Sequence, residues 1–145
     1  IGIGDTVRVS LTLPNSEKHQ EVLIGRQIVE DIAQGRFRSF PKDFNKGLNV
    51  ISCPSCSRVE NRAFVDLAME VKKVMEPYRE HNLRIAVMGC RVNGPGETDD
   101  ADLGLWCAPN HVNLKKGSVL LGQFAYDAVI DRMLEEVKVI VTNRS

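Results

Sequence analysis

The chain opens on alternation. In Thr6-Val7-Arg8-Val9-Ser10-Leu11 the apolar Val7, Val9 and Leu11 share one side and Arg8 and Ser10 the other, which predicts a strand. Pro14, Asn15 and Ser16 break the pattern, with Asn15 or Ser16 as a helix cap. From Glu17 to Gln34 the period turns helical: Ile24, Ile28 and Ile32 form an apolar stripe and Gly35 is set to end it. Arg36 to Gly47, with Pro41 and several charges, predicts a loop and is the best candidate for a linker or hinge. Leu48 to Ser52 reads as a short strand. Phe64, Leu67, Ala68, Val71, Met75 and Tyr78 recur at helical spacing, with Pro77 ending or kinking that helix. Leu83 to Met88 predicts a buried strand. Leu103 to Cys107 and Val119 to Phe124 predict two more, with a hairpin turn at Asn113 to Gly117 between them. Tyr126, Val129, Ile130, Met133, Leu134 and Val137 define a closing helix, and Val139-Ile140-Val141 has no assignment. This order predicts an α/β (α+β) fold, a mixed sheet packed by helices, with the first strand and helix in a separate unit.

One stretch fits neither period. Met88-Gly89-Cys90-Arg91-Val92-Asn93-Gly94-Pro95-Gly96-Glu97 holds three glycines and a proline in ten residues, which predicts a tight loop rather than a helix interior or a strand. It carries a thiol near its start and a carboxylate at its end, and its glycines let backbone approach something bulky. A second thiol-bearing segment, Cys53-Pro54-Ser55-Cys56, follows the earlier strand. Three thiols and one carboxylate, each at or just beyond a strand end, form a candidate metal or cluster site.

Composition narrows the setting. At 145 residues, 43% apolar and 26% charged, the chain fits one globular domain with a sizeable core. Nineteen acids balance nineteen bases, so the totals suggest neither a nucleic-acid nor a membrane-surface partner. No apolar run approaches the ~20 residues of a membrane span, and no secretory signal opens the sequence. A cytoplasmic setting is expected, and a first residue other than Met predicts a fragment or a processed chain. Thiols in that setting are ligands, catalysts or small core groups rather than disulfides.

Cys-x-x-C after a strand and before a helix serves both metal sites and dithiol redox sites. Cys90 favours metal, since a third thiol in a glycine-rich loop has no part in a simple dithiol cycle. Structural zinc generally takes two paired ligand clusters, and only one C-x-x-C is present. Cys107 sits among Leu103, Leu105, Trp106 and Ala108, where a cysteine is most often a small core hydrophobe. Glu97 stands seven residues after Cys90; on spacing alone the favoured reading is a solvated carboxylate leading into the acidic Thr98–Asp102 stretch.

Cys-Pro-x-Cys followed after about thirty residues by Gly-Cys-x-Val-Asn-Gly-Pro-Gly-Glu resembles the hydroxymethylbutenyl diphosphate synthase family, iron–sulfur enzymes of the non-mevalonate isoprenoid pathway. Gly2 to Leu11 is similar to the last strand of that family's barrel. The resemblance implies a 4Fe–4S cluster held by Cys53, Cys56, Cys90 and Glu97, with Arg8 and Ser10 binding the substrate's diphosphate and Asn93 beside the cluster facing substrate. A guanidinium with a hydroxyl suits a phosphate, although a solvated strand face has the same pattern. The implied organisation is the closing strand and helix of a barrel (1–35), a linker (36–47) and a cluster domain (48–145) resembling the ferredoxin-like domain of sulfite and nitrite reductases. The implied oxidoreductase reaction opens a cyclic diphosphate with electrons from flavodoxin or ferredoxin, in a homodimer that pairs one subunit's barrel with the other's cluster domain. Without the rest of the barrel, this chain alone is expected to be inactive. Two departures stand out: the 36–47 loop is longer than the common form, and Trp106-Cys107-Ala108-Pro109 replaces an expected glycine-rich stretch. The alternatives are a thiol–disulfide oxidoreductase using Cys53 and Cys56 and a zinc-stabilised non-catalytic module.

Overall fold

The computed structural model describes residue 4, residues 6–35 and residues 47–144. The chain forms the predicted mixed sheet packed by helices. Its five strands lie in the order of the sequence: β1 (Asn49–Ser52), β2 (Arg84–Met88), β3 (Leu103–Cys107), β4 (Val112–Lys116) and β5 (Val119–Phe124). The first three run parallel, and β4 and β5 antiparallel to their neighbours.

Alternation sorts the strand residues between two faces. Ile85 and Val87 of β2, Leu103, Leu105 and Cys107 of β3, and Val112 and Leu114 of β4 enter the main core. There they meet α2 (Ala63–Met75) through Phe64, Leu67, Ala68, Val71 and Met75, and α4 (Val129–Arg144) through Val129, Ile130, Met133, Val137 and Ile140. Asn61 Oδ1 accepts the Ala63 N–H at 3.0 Å to start α2, and Pro77 falls in the 3₁₀ turn Glu76–Tyr78 that ends it. The opposite face carries Ala86, Met88 and Trp106, packed with Ala101.

The β1–β2 connection runs through α2 on the main-core face. The β2–β3 connection, residues 89–102, includes the one-turn helix α3 (Gly94–Glu97) and crosses the opposite face. The strand order advances in one direction while the connections lie on opposite faces, so the two have opposite hands. Only one can obey the right-handed rule.

Several sequence expectations are corrected. Residues 6–11 form no strand among the described residues; a strand needs a hydrogen-bonded neighbour, and none is supplied here. The first helix, α1, spans His19–Ala33 behind a 3₁₀ turn at Asn15–Glu17, and neither Asn15 nor Ser16 caps it. Gly35 follows at φ +68° as its terminator. Its stripe is real but uncovered: Ile24, Ile28 and Ile32 are all exposed. Asn113 to Gly117 is mostly strand β4, and the turn falls later, where Gly117 has φ +55°. The mixed pattern of Val112-Asn113-Leu114-Lys115-Lys116 hid a strand in which Asn113 and Lys115 face the second layer while Lys116 pairs with Glu136 of α4. Val139-Ile140-Val141 continues α4, which closes on the sheet through Arg144, bonded to Asn82 O at 2.8 Å and to Asp102 at 2.5 Å. The expected linker at 36–47 lies, apart from Gly47, outside the described residues.

Candidate metal centre

Parallel strands bring their C-terminal ends to one edge, and β1 and β2 are hydrogen-bonded neighbours in register Ser52↔Val87. The cysteine segments leave from those two ends. Cys53 follows Ser52 directly, its amide donates to Val87 O at 3.3 Å, and its Sγ accepts the Gly89 N–H at 3.3 Å. Cys90 is the next residue along β2's exit and is buried, whereas Cys56 is exposed. Between Cys53 and Cys56, Ser55 takes φ +58°, a left-handed conformation that costs about 1–2 kcal/mol for a residue with a Cβ. Segment 59–60 then returns across the second cysteine segment: Glu60 N–H donates to Gly89 O at 3.3 Å, and the Glu60 carboxylate pairs with Arg91 at 3.0 Å. A Cβ on Gly89 would stand 2.7 Å from Val59, so glycine is what lets the two segments touch.

The stretch expected to be a loop ends in α3, one helical turn. Pro95 is tolerated in its first turn, where its missing N–H would have no helical partner. Glu97 N–H donates to Asn93 O at 2.9 Å and Thr98 N–H to Gly94 O at 3.2 Å. Two contacts dock this turn on the sheet. Gly94 lies against Trp106, and Thr98, fully buried, lies against Gly104, where any side chain would collide with it. Lys115 reaches across from β4 to donate to Pro95 O at 2.7 Å and pairs with Asp99.

Glu97 and Asn93 are exposed on this docked turn, with Asn93 Nδ2 donating to Glu97 Oε1 at 3.0 Å. Cys107 is fully buried in the core, as its apolar neighbours predict, and burial pushes its thiol up to about 12. Arg8 lines a separate cleft of about 550 Å³ between the N-terminal segment and α1, together with Val7, Glu21 and Arg26. Ser10 is exposed and does not line that cleft. The nearest link from the N-terminal segment to the cysteines is Thr12, whose hydroxyl donates to Cys53 O at 2.6 Å and accepts from Ser52 at 2.9 Å. A second cleft, about 440 Å³, opens beside Cys56 between Pro14, Asn15 and the start of α2, with Arg62 and Asp66 on its wall.

Cys53, Cys56 and Cys90 therefore leave one end of the sheet, Glu97 stands on the turn docked over β3, and Arg8 and Ser10 lie apart from the cysteines. Among the described residues, no three His, Cys, Asp or Glu side chains converge as the ligand group of a metal ion. The donor chemistry nonetheless fits an iron–sulfur cluster: three thiols on two tethered segments, and a backbone N–H aimed at one sulfur. Lys115, Trp106, Thr98 and Gly104 dock the turn that carries Glu97, Thr12 bonds Cys53 O, and the sequence singled out none of them for such a role. The one available signal was the alternation in β4 that puts Lys115 on the glycine segment's side.

The arrangement defines an α/β domain that presents thiols at parallel strand ends. Residues 49–139 match the model of the GcpE protein C-terminal domain, and the chain belongs to that family. It is 62% identical over 136 residues to a Rhodopirellula baltica protein named 4-hydroxy-3-methylbut-2-en-1-yl diphosphate synthase (flavodoxin), covering 94% of this chain and 36% of that protein. Relatives of the same name from Persephonella marina and Ruminiclostridium cellulolyticum are 36% and 32% identical, each over 94% of this chain and 35% of the relative. The chain thus spans about a third of the length of these curated relatives.

Proposed function

We propose that this chain is the cluster-bearing part of a 4-hydroxy-3-methylbut-2-en-1-yl diphosphate synthase, with Cys53, Cys56, Cys90 and Glu97 holding a 4Fe–4S cluster. The enzyme would open 2-C-methyl-D-erythritol 2,4-cyclodiphosphate reductively in the cytoplasm, as a step of isoprenoid synthesis. The observation that carries this reading is the Gly89 N–H on Cys53 Sγ, which ties the C-x-x-C segment to the Gly-Cys segment at neighbouring strand ends. When bound, such a cluster supplies the reaction's electrons one at a time. Flavodoxin, printed in the relatives' names, is the favoured donor, with ferredoxin the alternative.

The chain's own residues do the holding and orienting. The Gly89 N–H offsets charge on the Cys53 thiolate, and a hydrogen bond to sulfur tunes a cluster's potential. The Asn93 amide donates to the Glu97 carboxylate and fixes its direction. Glu97 would be the harder, weaker ligand of the set and the one suited to leave a position open for substrate, and Asn93 would face the substrate. Since α3 is docked through Gly94, Thr98 and Lys115, any such movement would fall to the Glu97 side chain rather than to a swinging loop.

Arg8 and Ser10 bind diphosphate in this reading as part of a barrel's closing strand. A segment, 6–11, without a strand partner among the described residues, followed by a helix with an exposed apolar stripe, supports the division into 1–35, 36–47 and 48–145. In a homodimer these residues would serve the partner subunit's cluster, which accounts for their separation from Cys53 here. No described helix is long and apolar enough to cross a membrane.

Anaerobic reconstitution with iron and sulfide tests the reading. A broad absorption band near ~400 nm with iron and sulfide in the protein supports it. A colourless protein binding one zinc, or a metal-free protein cycling Cys53 and Cys56 to a disulfide, would replace it with one of the alternatives.

A further inference from the structure

We propose that Lys115 is the positioning residue for Glu97, an inference that rests on the reading of Glu97 as a cluster ligand. Lys115 lies on β4, far from the cysteine segments in sequence, yet its side chain is only 9% exposed. A buried ammonium is costly unless every donor is directed at an acceptor. Its acceptors are specific: Pro95 O at 2.7 Å and the Asp99 carboxylate. These flank Glu97 two residues to either side, so one cation pins the backbone before and after the proposed ligand. The Thr98 hydroxyl adds a bond to Gly94 O at 2.6 Å, but that bond is internal to the turn. Arg84 of β2 also donates to Asp100 O at 3.3 Å, but among the described residues it is Lys115 that ties both flanks of Glu97 to the sheet. The register shift at Leu114/Lys115 in the β4–β5 ladder is placed at this same residue.

A ligand that must release and re-form depends on where its backbone stands, and supporting groups typically change metal affinity by about 10–100-fold. Lys115→Met keeps the stem's bulk and removes the cation. In the metal-free chain it should speed amide exchange at Glu97, Thr98 and Asp99 by about tenfold while leaving the β3–β4 ladder unchanged. In the reconstituted protein it should speed loss of one iron to a chelator by about tenfold. The double variant Lys115→Met/Glu97→Ala should lose that iron no faster than Glu97→Ala alone, because Lys115 acts through Glu97. Unchanged amide exchange overturns the proposal, and so does iron loss that adds across the two substitutions. If Glu97→Ala alone leaves iron loss unchanged, the ligand reading fails, and the exchange result still decides whether Lys115 pins the turn. Should Lys115→Met not fold, Asp99→Asn should show the same effects in the same direction, and their absence overturns the proposal.

Discussion

Gly94 and Trp106 occupy ground that leaves no room for a Cβ: one built on Gly94 would lie 2.4 Å from the Trp106 Cβ and 2.9 Å from its Cγ. Trp106 is held in β3 between paired neighbours, Met88 and Asn113, so it has little freedom to retreat. Gly94→Ala should therefore destabilise by about 1–3 kcal/mol through overpacking. Gly96 has open space around it and an ordinary backbone conformation, so Gly96→Ala should be neutral or stabilise by about 0.4–1 kcal/mol. Urea unfolding of both variants measures the contrast. Equal effects would mean that α3 is not docked as described.

Cys107 makes stability sensitive to alkali. Burial, the leading cause, holds its thiol up to about 12, while an unfolded cysteine ionises near ~8.5. The folded state therefore keeps the proton that the unfolded chain gives up. The stabilisation is whole below about pH 8.5 and is lost as pH rises toward the folded value. Unfolding free energy should fall between about pH 9 and 10 with a slope approaching one proton, and Cys107→Ala should remove that slope. Urea titrations at stepped pH check this. In the same native, metal-free protein, iodoacetamide should label exposed Cys56 before Cys107.

Glu97 separates a labile ligand from a structural turn. In the complete enzyme, Glu97→Cys should keep or improve cluster assembly yet abolish turnover, because a thiolate would not yield its place. Glu97→Ala should assemble a less stable cluster and tend toward a three-iron form. Iron content and electron paramagnetic resonance, read alongside activity, distinguish the two. Turnover by Glu97→Cys near the parent's rate would leave the carboxylate no role as a leaving ligand.

The elements with one strong period were legible in the sequence. Phe64 through Met75 announce α2 because a helix with one buried face leaves that spacing, and Arg84 to Met88 reads as a strand because four of its five residues are buried. What was not legible depended on partners distant in the chain. Val7, Val9 and Leu11 alternate as a strand should, but alternation cannot supply a neighbour. β4 was hidden because Asn113 and Lys115 are polar yet buried, a consequence of the Trp106 and Pro95–Asp99 contacts above them. The glycines near Cys90 were read as letting backbone approach something bulky; what they approach, Val59 at Gly89 and Trp106 at Gly94, was not legible. The candidate ligands themselves were legible from spacing and resemblance. The residues that hold them were not, since Lys115, Thr98 and Thr12 belong to no motif.

The ligand set is tested most directly by counting iron and sulfide in anaerobically reconstituted Cys53→Ser, Cys56→Ser, Cys90→Ser and Cys107→Ala variants beside the parent. The parent and Cys107→Ala should each bind about four irons and four sulfides per chain, and each serine variant should lose the intact cluster. Loss of the cluster in Cys107→Ala, with full iron retained in any one of the three serine variants, would contradict the assignment.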